Sequence, residues 1–329
     1  MSKPFVIVSH TLPAAWVAKL EQECEVLMGP ETAVCSTLTP ELEAKLPKAV
    51  GLMTMLTVPV NGDLLNKAPN LRVVSNMAVG TDNIDKAACT ARGIPVGNTP
   101  GVLTESTADL AIAILLAAAR RLPTASRDAK EGRWQTWSPT AWLGTDLYGA
   151  TLGIVGLGKI GTAIAQRARA FGLNIVYHNR NRKPEAERTL PATYLPLDEL
   201  LAQSDFVMLS TPLTAETHHL IDATALQKMK SSAILVNIAR GPVVDTNALV
   251  QALQENWIQS AALDVTDPEP LPSSHILYSL PNCFITPHIG SAASNTRRRM
   301  AELACENLIA GVQGKPLIHC VNPDVYAAA

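Results

Sequence analysis

Short runs of β-branched and apolar residues recur along most of this chain, separated by stretches long enough for a helix, and that alternation leaves few folds open. The runs predict strands over residues 5–9, 50–56, 72–76 and 94–96. After a long gap come 151–155, 174–177, 205–210, 233–238, 260–264 and 283–286. Strands that are apolar on both faces and spaced by helical segments form parallel βαβ units, with helices covering both sides of the sheet. At 329 residues the chain exceeds what one core holds comfortably, so two domains are expected.

Charge and composition exclude several function classes. With 27 Lys and Arg against 29 Asp and Glu the net charge is −2, and the cations are spread out except at Arg297, Arg298 and Arg299. Such a chain has no basic field to recruit nucleic acid or an anionic membrane. No stretch approaches the roughly 18 uninterrupted apolar residues of a spanning helix. The opening, from Met1 through Lys3 and Pro4 into an apolar run, lacks the parts of a secretory signal, so a cytoplasmic location is expected. The cysteines Cys24, Cys35, Cys89, Cys283, Cys305 and Cys320 lie far apart without a CxxC and read as small hydrophobes. His218 and His219 are adjacent, which is expected to point their side chains apart, and no bound metal is expected.

The gap between the two groups of strands holds an apolar helix over 104–121, in which Leu110, Ala111, Ile114, Leu115 and Ala118 recur at helical spacing. Arg120 and Arg121 suit its C-terminus, and Pro123 ends it. A helix apolar over most of its surface is wrapped by its own domain or buried on another subunit; the second is the expectation here. An arm follows, with Trp134, Trp137 and Trp142 close together. It packs on a core or reaches a neighbouring subunit and closes part of a pocket.

The strand at 151–155 leads into Gly156-Leu157-Gly158-Lys159-Ile160-Gly161, with a helical stretch at 162–171 and another strand beyond. In that context GxGxxG is informative. Gly156 permits a tight turn, Gly158 lets backbone approach a pyrophosphate, and Gly161 lets the helix pack closely, while the N–H groups at the helix start hold the anion. An acidic residue at the end of the next strand would bind a ribose 2′-hydroxyl. This chain instead has His178-Asn179-Arg180-Asn181-Arg182-Lys183, with no acid before Glu185. Arg180 and Arg182 suit a 2′-phosphate. NADP(H) is therefore the preferred cofactor, with NAD(H) use left open; the plainer reading is a solvated basic loop.

Three later stretches each end a predicted strand: 236–241 with Arg240, 262–270 with Asp264 and Glu269, and 286–291 with His288. Carbonyl reduction needs a cation to polarise the C=O and hold a neighbouring carboxylate, which a planar guanidinium does well. It also needs a proton donor, and histidine is suited to that. A carboxylate beside an imidazole fixes its orientation. Arg240, His288 and Glu269 fill those roles. Singly they read as a surface ion pair, a satisfied loop histidine and a solvated loop acid; together, after a dinucleotide loop, they point to hydride-transfer chemistry.

Through these stretches and residues 76–85, Asn76-Met77-Ala78-Val79-Gly80-Thr81-Asp82-Asn83-Ile84-Asp85, the chain resembles the D-isomer-specific 2-hydroxyacid dehydrogenase family over essentially its whole length. Within that family it is most similar to the glyoxylate/hydroxypyruvate reductases, on residues 132–139 and 264–272, Gly290-Ser291-Ala292, Thr296, Arg297, Met300 and the Asn/Arg cofactor loop. The resemblance implies an α/β fold of two Rossmann-like domains. A doubly wound parallel-sheet dinucleotide-binding domain, 103–288, is inserted into a smaller flavodoxin-like substrate domain, 1–102 with 289–329. It implies Arg240, Glu269 and His288 as the active site, Asp264 on the nicotinamide amide, and the Val79 and Gly80 amides on the substrate carboxylate. Thr107, Lys159, Ile160, Pro212, Thr217, Ile238, Ala239 and Gly290 complete the implied cofactor site, and Leu56, Trp142 and Arg297 the substrate contacts. A homodimer built on the 104–121 helix is implied too. The expected reaction is NADPH-dependent reduction of a small 2-oxo acid such as glyoxylate or hydroxypyruvate to a D-2-hydroxy acid.

Several alternatives share this framework. Phosphite dehydrogenases have an arginine matching Arg297 but a lysine where this chain has Val79; formate dehydrogenases have Gln where Glu269 stands. Phosphoglycerate dehydrogenase carries an added regulatory domain, for which no room follows Tyr326. Bulkier 2-oxo acids and a nonenzymatic, corepressor-like NAD(P) sensor are the remaining readings.

Overall fold

Apolar residues at successive positions of most strands demand cover on both sheet faces, and the structure supplies it twice. The computed structural model describes residues 3–31 and 36–327, and the chain divides into two compact units, Met1–Leu103 with Ala293–Ala329, and Thr104–Ala292.

In the smaller unit the elements run β1 (Phe5–Val8), α1 (Ala14–Glu23), β2 (Glu25–Met28), α2 (Pro40–Lys45), β3 (Gly51–Thr54), α3 (Gly62–Lys67), β4 (Val73–Asn76), α4 (Lys86–Ala91) and β5 (Val96–Gly97). The sheet is parallel throughout, in the order β2-β1-β3-β4-β5 of a flavodoxin-like fold. Its short helices start where a side chain takes an orphan amide: Thr39 accepts from Leu42, Asn61 from Leu64 and Asp85 from Ala88. Ile7, Leu52 and Val74 point into one core with Leu42, Leu46 and Leu65.

In the larger unit, α5 (Thr104–Ala119) and α6 (Leu122–Lys130) precede β6 (Thr151–Val155), α7 (Lys159–Ala170), β7 (Asn174–His178), α8 (Pro184–Thr189), β8 (Ala192–Tyr194), α9 (Leu197–Gln203) and β9 (Phe206–Leu209). Then come α10 (Ala223–Lys228), β10 (Ile234–Asn237), α11 (Thr246–Gln254), β11 (Ser260–Leu263) and β12 (Cys283–Ile285). The parallel sheet has the order β12-β11-β10-β9-β6-β7-β8, so the winding reverses between β6 and β9. Alternate strand residues feed opposite cores. Phe206, Met208, Ile234 and Val236 meet α5 and α7, while Val207, Leu209 and Leu235 meet residues of α9, α10 and α11.

The last helix, α12 (Ser294–Val312), returns to the smaller unit and packs on α1, β3 and β4. Its buried Asn307 donates to the Asn98 carbonyl (3.0 Å) and accepts from the His319 amide (3.1 Å). Asn322 accepts from the Val96 amide (2.8 Å) and donates to the Ile94 carbonyl (3.0 Å), sealing the β5 edge.

Two strands, β2 and β8, are absent from the sequence expectation. Both are short edge strands: β8 has only Ala192, Thr193 and Tyr194, and the apolar Val26, Leu27 and Met28 of β2 are too few and too exposed to stand out from the flanking sequence. The long helix ends at Ala119, with Arg121 in the left-handed region (φ 52°) and Pro123 in the first turn of α6. Its apolar surface is largely taken by its own unit: Ala108, Ala111, Ile114 and Leu115 are fully or almost fully buried, on α7, β10 and β11. Cys24, Cys89 and Cys305 are buried free thiols, and Cys283 and Cys320 are partly buried; Cys35 lies outside the described residues. Burial pushes the Cys283 and Cys305 thiols up to about 12. Among the described residues no helix is long and apolar enough to cross a membrane.

Candidate active site

Parallel strands deliver all their C-terminal ends to one edge. In the larger unit the register sets His178, Val155, Leu209, Asn237, Leu263 and Ile285 in one row across the sheet. Every loop predicted to carry chemistry in this unit leaves from that row.

The glycine loop leaves β6. Gly156 has φ 103°, and a Cβ there would lie 2.7 Å from the Ser210 carbonyl carbon and the Thr211 nitrogen. A Cβ on Gly161 would lie 2.3 Å from the Gly156 oxygen, whereas one on Gly158 would meet nothing within 4 Å. Gly158 is the N-cap of α7 and no side chain caps the helix. An open approach to uncapped N–H groups at the start of a helix suits a pyrophosphate, so these residues fit a dinucleotide. Asn179 bends back from β7 to accept the Leu157 amide (2.6 Å), which ties the glycine loop to the neighbouring turn. Pro212 and Thr217 sit in the loop after β9, where the Thr217 hydroxyl donates to the Pro212 carbonyl (2.7 Å) and fixes the turn.

Beyond β10, Ile238 and Ala239 are buried, and Asn237 braces the turn by donating to the Arg240 carbonyl (2.9 Å) and accepting from the Ala239 amide (3.0 Å). Arg240 Nη1 donates to the Ala239 carbonyl at 2.8 Å. His288 follows β12 in the left-handed region (φ 52°), and its Nδ1 lies 2.5 Å from Glu269 Oε1. The Thr266 amide donates to the other Glu269 oxygen (3.3 Å). The structure thus brings Glu269 and His288 together, with Arg240 on the adjacent strand end.

What holds the histidine is Asp264. Only 2% exposed, its carboxylate accepts the Thr286 hydroxyl (2.6 Å) and the Ile289 amide (2.8 Å) on Oδ1 and the Gly290 amide (2.8 Å) on Oδ2. Its backbone carbonyl accepts the His288 amide at 2.9 Å. Thr107 stands beside this turn, its Cγ2 3.3 Å from where a Gly290 Cβ would be. The anchoring role of Asp264 and Thr286 is not evident from the sequence, because nothing in the spacing says that a buried acid faces the loop of the next strand.

In the smaller unit, Asn98 donates to the Val79 carbonyl (2.9 Å) and Asn76 to the Gly80 carbonyl (2.8 Å). Among the described residues the Val79 and Gly80 amides have no acceptor, so two N–H donors are held ready in a fixed turn. Leu56, half-buried, follows β3; Arg297 lies in the first turn of α12.

Two expectations change. His218 and His219 do not point apart: their rings stack with centroids 4.0 Å apart, because His219 takes a left-handed backbone (φ 52°) that turns its ring back over its neighbour. Among the described residues no group of three or more His, Cys, Asp or Glu could hold a metal. The tryptophan arm does not lie packed on a core: Trp134 is 65% and Trp137 80% exposed. Trp142 donates its indole N–H to Asp128 (2.8 Å), and that bond, with Arg133, holds the Asp128 carboxyl below its usual range.

A doubly wound sheet with an open glycine loop and an imidazole–carboxylate pair on one edge defines a dinucleotide-binding fold equipped for proton transfer. The profile described as D-isomer specific 2-hydroxyacid dehydrogenase, NAD binding domain, matches residues 112–290. A glyoxylate reductase of Pyrococcus horikoshii is 48% identical, covering 98% of this chain and 97% of its own. Among solved structures, a protein from Thermus thermophilus superposes with a TM-score of 0.89 at 47% identity, over 96% of this chain and 99% of that one. The NADPH-dependent glyoxylate/hydroxypyruvate reductase of Sinorhizobium meliloti, solved with NADP and malonate, gives 0.84 at 34% identity over 97% of both. The chain belongs to the D-isomer-specific 2-hydroxyacid dehydrogenase family and is glyoxylate reductase-like.

Proposed function

We propose that this chain is a cytoplasmic, NADPH-preferring reductase that converts glyoxylate and hydroxypyruvate to the D-2-hydroxy acids. The observation that carries the reading is the His288–Glu269 pair at 2.5 Å, on the same sheet edge as the glycine loop and Arg240. When bound, the nicotinamide supplies the hydride. Glu269 accepts from Nδ1 of His288, which turns Nε2 toward the substrate as the proton donor to the carbonyl oxygen. Arg240 pairs with the substrate carboxylate and polarises the carbonyl, so that charge growing on oxygen meets a fixed cation. The Val79 and Gly80 amides are the carboxylate donors contributed by the smaller unit, with Leu56 and Arg297 as further contacts.

The preference for NADPH is supported by Arg180 at the end of β7 and by the lack of an acid there, and by the named cofactor of the Sinorhizobium relative. Asp264 and Thr107 are assigned to the nicotinamide end of the site, beside Gly290. A homodimer is supported by Trp134 and Trp137, two large exposed apolar groups three positions apart, a concentration of the kind that marks interaction surfaces.

The test is the initial rate of NADPH and NADH oxidation with glyoxylate and with hydroxypyruvate at neutral pH. Rapid oxidation of NADPH with either acid is expected. Silence with both acids and both nucleotides would overturn the assignment and bring phosphite and bulkier 2-oxo acids forward, then the sensor reading.

A further inference from the structure

The turn after β7 carries two arginines that look equivalent in the sequence and are not equivalent in the structure. Arg182 closes a bidentate pair with Glu187 of α8, Nε to Oε1 at 2.7 Å and Nη2 to Oε2 at 2.8 Å. The same Oε1 accepts the Tyr177 hydroxyl at 2.6 Å, and the Tyr177 oxygen accepts the Lys183 amide at 2.7 Å. Tyr177 is fully buried near the end of β7, with the Tyr194 ring edge-on at 5.5 Å, so its hydroxyl is a rigid post. Arg182 and Tyr177 together hold the Glu187 carboxyl down to about 2, and at neutral pH it is an anion. Arg180, by contrast, makes no hydrogen bond or ion pair among the described residues and feels the charge of Glu216 only through space.

We propose that Glu187 is a positioning residue for cofactor discrimination: it engages Arg182, withdraws that guanidinium from the nucleotide, and leaves Arg180 to tell a 2′-phosphate from a 2′-hydroxyl. The inference rests on the NADPH reading above and reassigns Arg182 from phosphate ligand to strut. A forked guanidinium already filled by a carboxylate on two N–H groups gains little by exchanging it for a phosphate, because one charge-assisted pair replaces another. The exchange would also leave the Glu187 carboxylate with only the Tyr177 hydroxyl on Oε1 and no cation beside it. Arg180 carries no such cost. The Tyr177–Lys183 bond, which involves neither Arg182 nor Glu187, also ties down the turn that presents Arg180.

Equilibrium titration of the full-length protein with 2′,5′-ADP and with 5′-AMP, by calorimetry, reads the 2′-phosphate without turnover. Arg180→Ala is expected to weaken 2′,5′-ADP by about 10-fold or more and to leave 5′-AMP within about 2-fold. Arg182→Ala is expected to change the 2′,5′-ADP affinity by less than about 2-fold. Glu187→Gln keeps an acceptor for Tyr177 but drops the charge and frees Arg182. It should tighten 2′,5′-ADP about 2- to 5-fold with 5′-AMP unmoved, and that gain should vanish when Arg182→Ala is added. A merely structural role would move both nucleotides alike. The proposal is overturned if Arg182→Ala costs as much as Arg180→Ala, or if Glu187→Gln shifts both nucleotides equally. Wild-type protein that does not prefer 2′,5′-ADP over 5′-AMP would instead overturn the NADPH reading and this inference with it. If Glu187→Gln does not fold, Arg182→Ala, a change at an exposed residue, decides the matter alone.

Discussion

Replacing Asp264 by asparagine should loosen the loop that carries His288 without touching the imidazole. The carboxylate is 2% exposed and accepts three hydrogen bonds, from the Thr286 hydroxyl, the Ile289 amide and the Gly290 amide. Asparagine has almost the same shape, but one oxygen becomes an N–H donor. In the cheaper orientation the amide oxygen keeps Thr286 and Ile289, and the new NH2 group faces the Gly290 amide, donor against donor. One charge-assisted bond is lost and a buried N–H is left unmet, a cost of about 2–4 kcal/mol. For a unit of this size each kcal/mol moves the midpoint about 2–4 °C, so calorimetry should show the larger unit melting roughly 4–16 °C lower. Turnover should fall with it, because the His288 amide hangs on the same residue's carbonyl at 2.9 Å. A midpoint within about 1 °C of wild type together with unchanged turnover would refute the claim that this carboxylate anchors the loop.

Other expectations are simpler. His288→Ala should lower turnover about 100- to 10,000-fold while the dissociation constant for NADPH stays near wild type; near-normal turnover would remove His288 from the proton-transfer step. Arg240→Lys, though it keeps the charge, should raise KM for the oxo acid and lower kcat, because an ammonium cannot supply the fork; steady-state kinetics with both parameters unmoved would place the carboxylate clamp elsewhere. Gly156→Ala should abolish measurable nucleotide binding, since the new Cβ would sit 2.7 Å from backbone at φ 103°. The Glu187 carboxyl is depressed from 4.5 to about 2, so its stabilising effect is full above about 4.5 and disappears as pH falls to about 2. Melting curves of wild type and Glu187→Gln should therefore differ by a constant amount above pH 4.5 and converge below it; a gap that widens on acidification would contradict the pairing.

Much of the fold can be read from the sequence because parallel strands buried on both faces leave uninterrupted apolar runs, as in Phe206–Leu209 and Ile234–Asn237. The edge strands Glu25–Met28 and Ala192–Tyr194 are harder to read, since they are short and partly exposed and at most three apolar residues, Val26, Leu27 and Met28, stand together. The site shows the same divide. Gly156, Gly158 and Gly161 announce themselves because backbone geometry demands glycine at fixed spacing. Asp264 announces an acid at a strand end but not its partners, which come from the next strand through the register Leu263 to Ile285. Arg180 and Arg182 are two residues apart and chemically identical; what separates them is Glu187, which closes on one and not the other. Side-chain pairing of that kind is decided by rotamers and a helix placement that no local pattern encodes.

The path of the chain sets an order of assembly. The smaller unit is built from the first 103 residues and from Ala293 onward, with α12 lying on β3 and β4 and the closing segment bonded to β5. On a ribosome its strands emerge first, and β3 and β4 must wait for α12 while the whole of Thr104–Ala292 is made. The larger unit owns every strand of its sheet and can close as soon as Ile285 has appeared. Synthesis therefore completes the later-encoded unit before the earlier-encoded one, and β3 and β4 find the last of their cover only after the whole of the larger unit has been made.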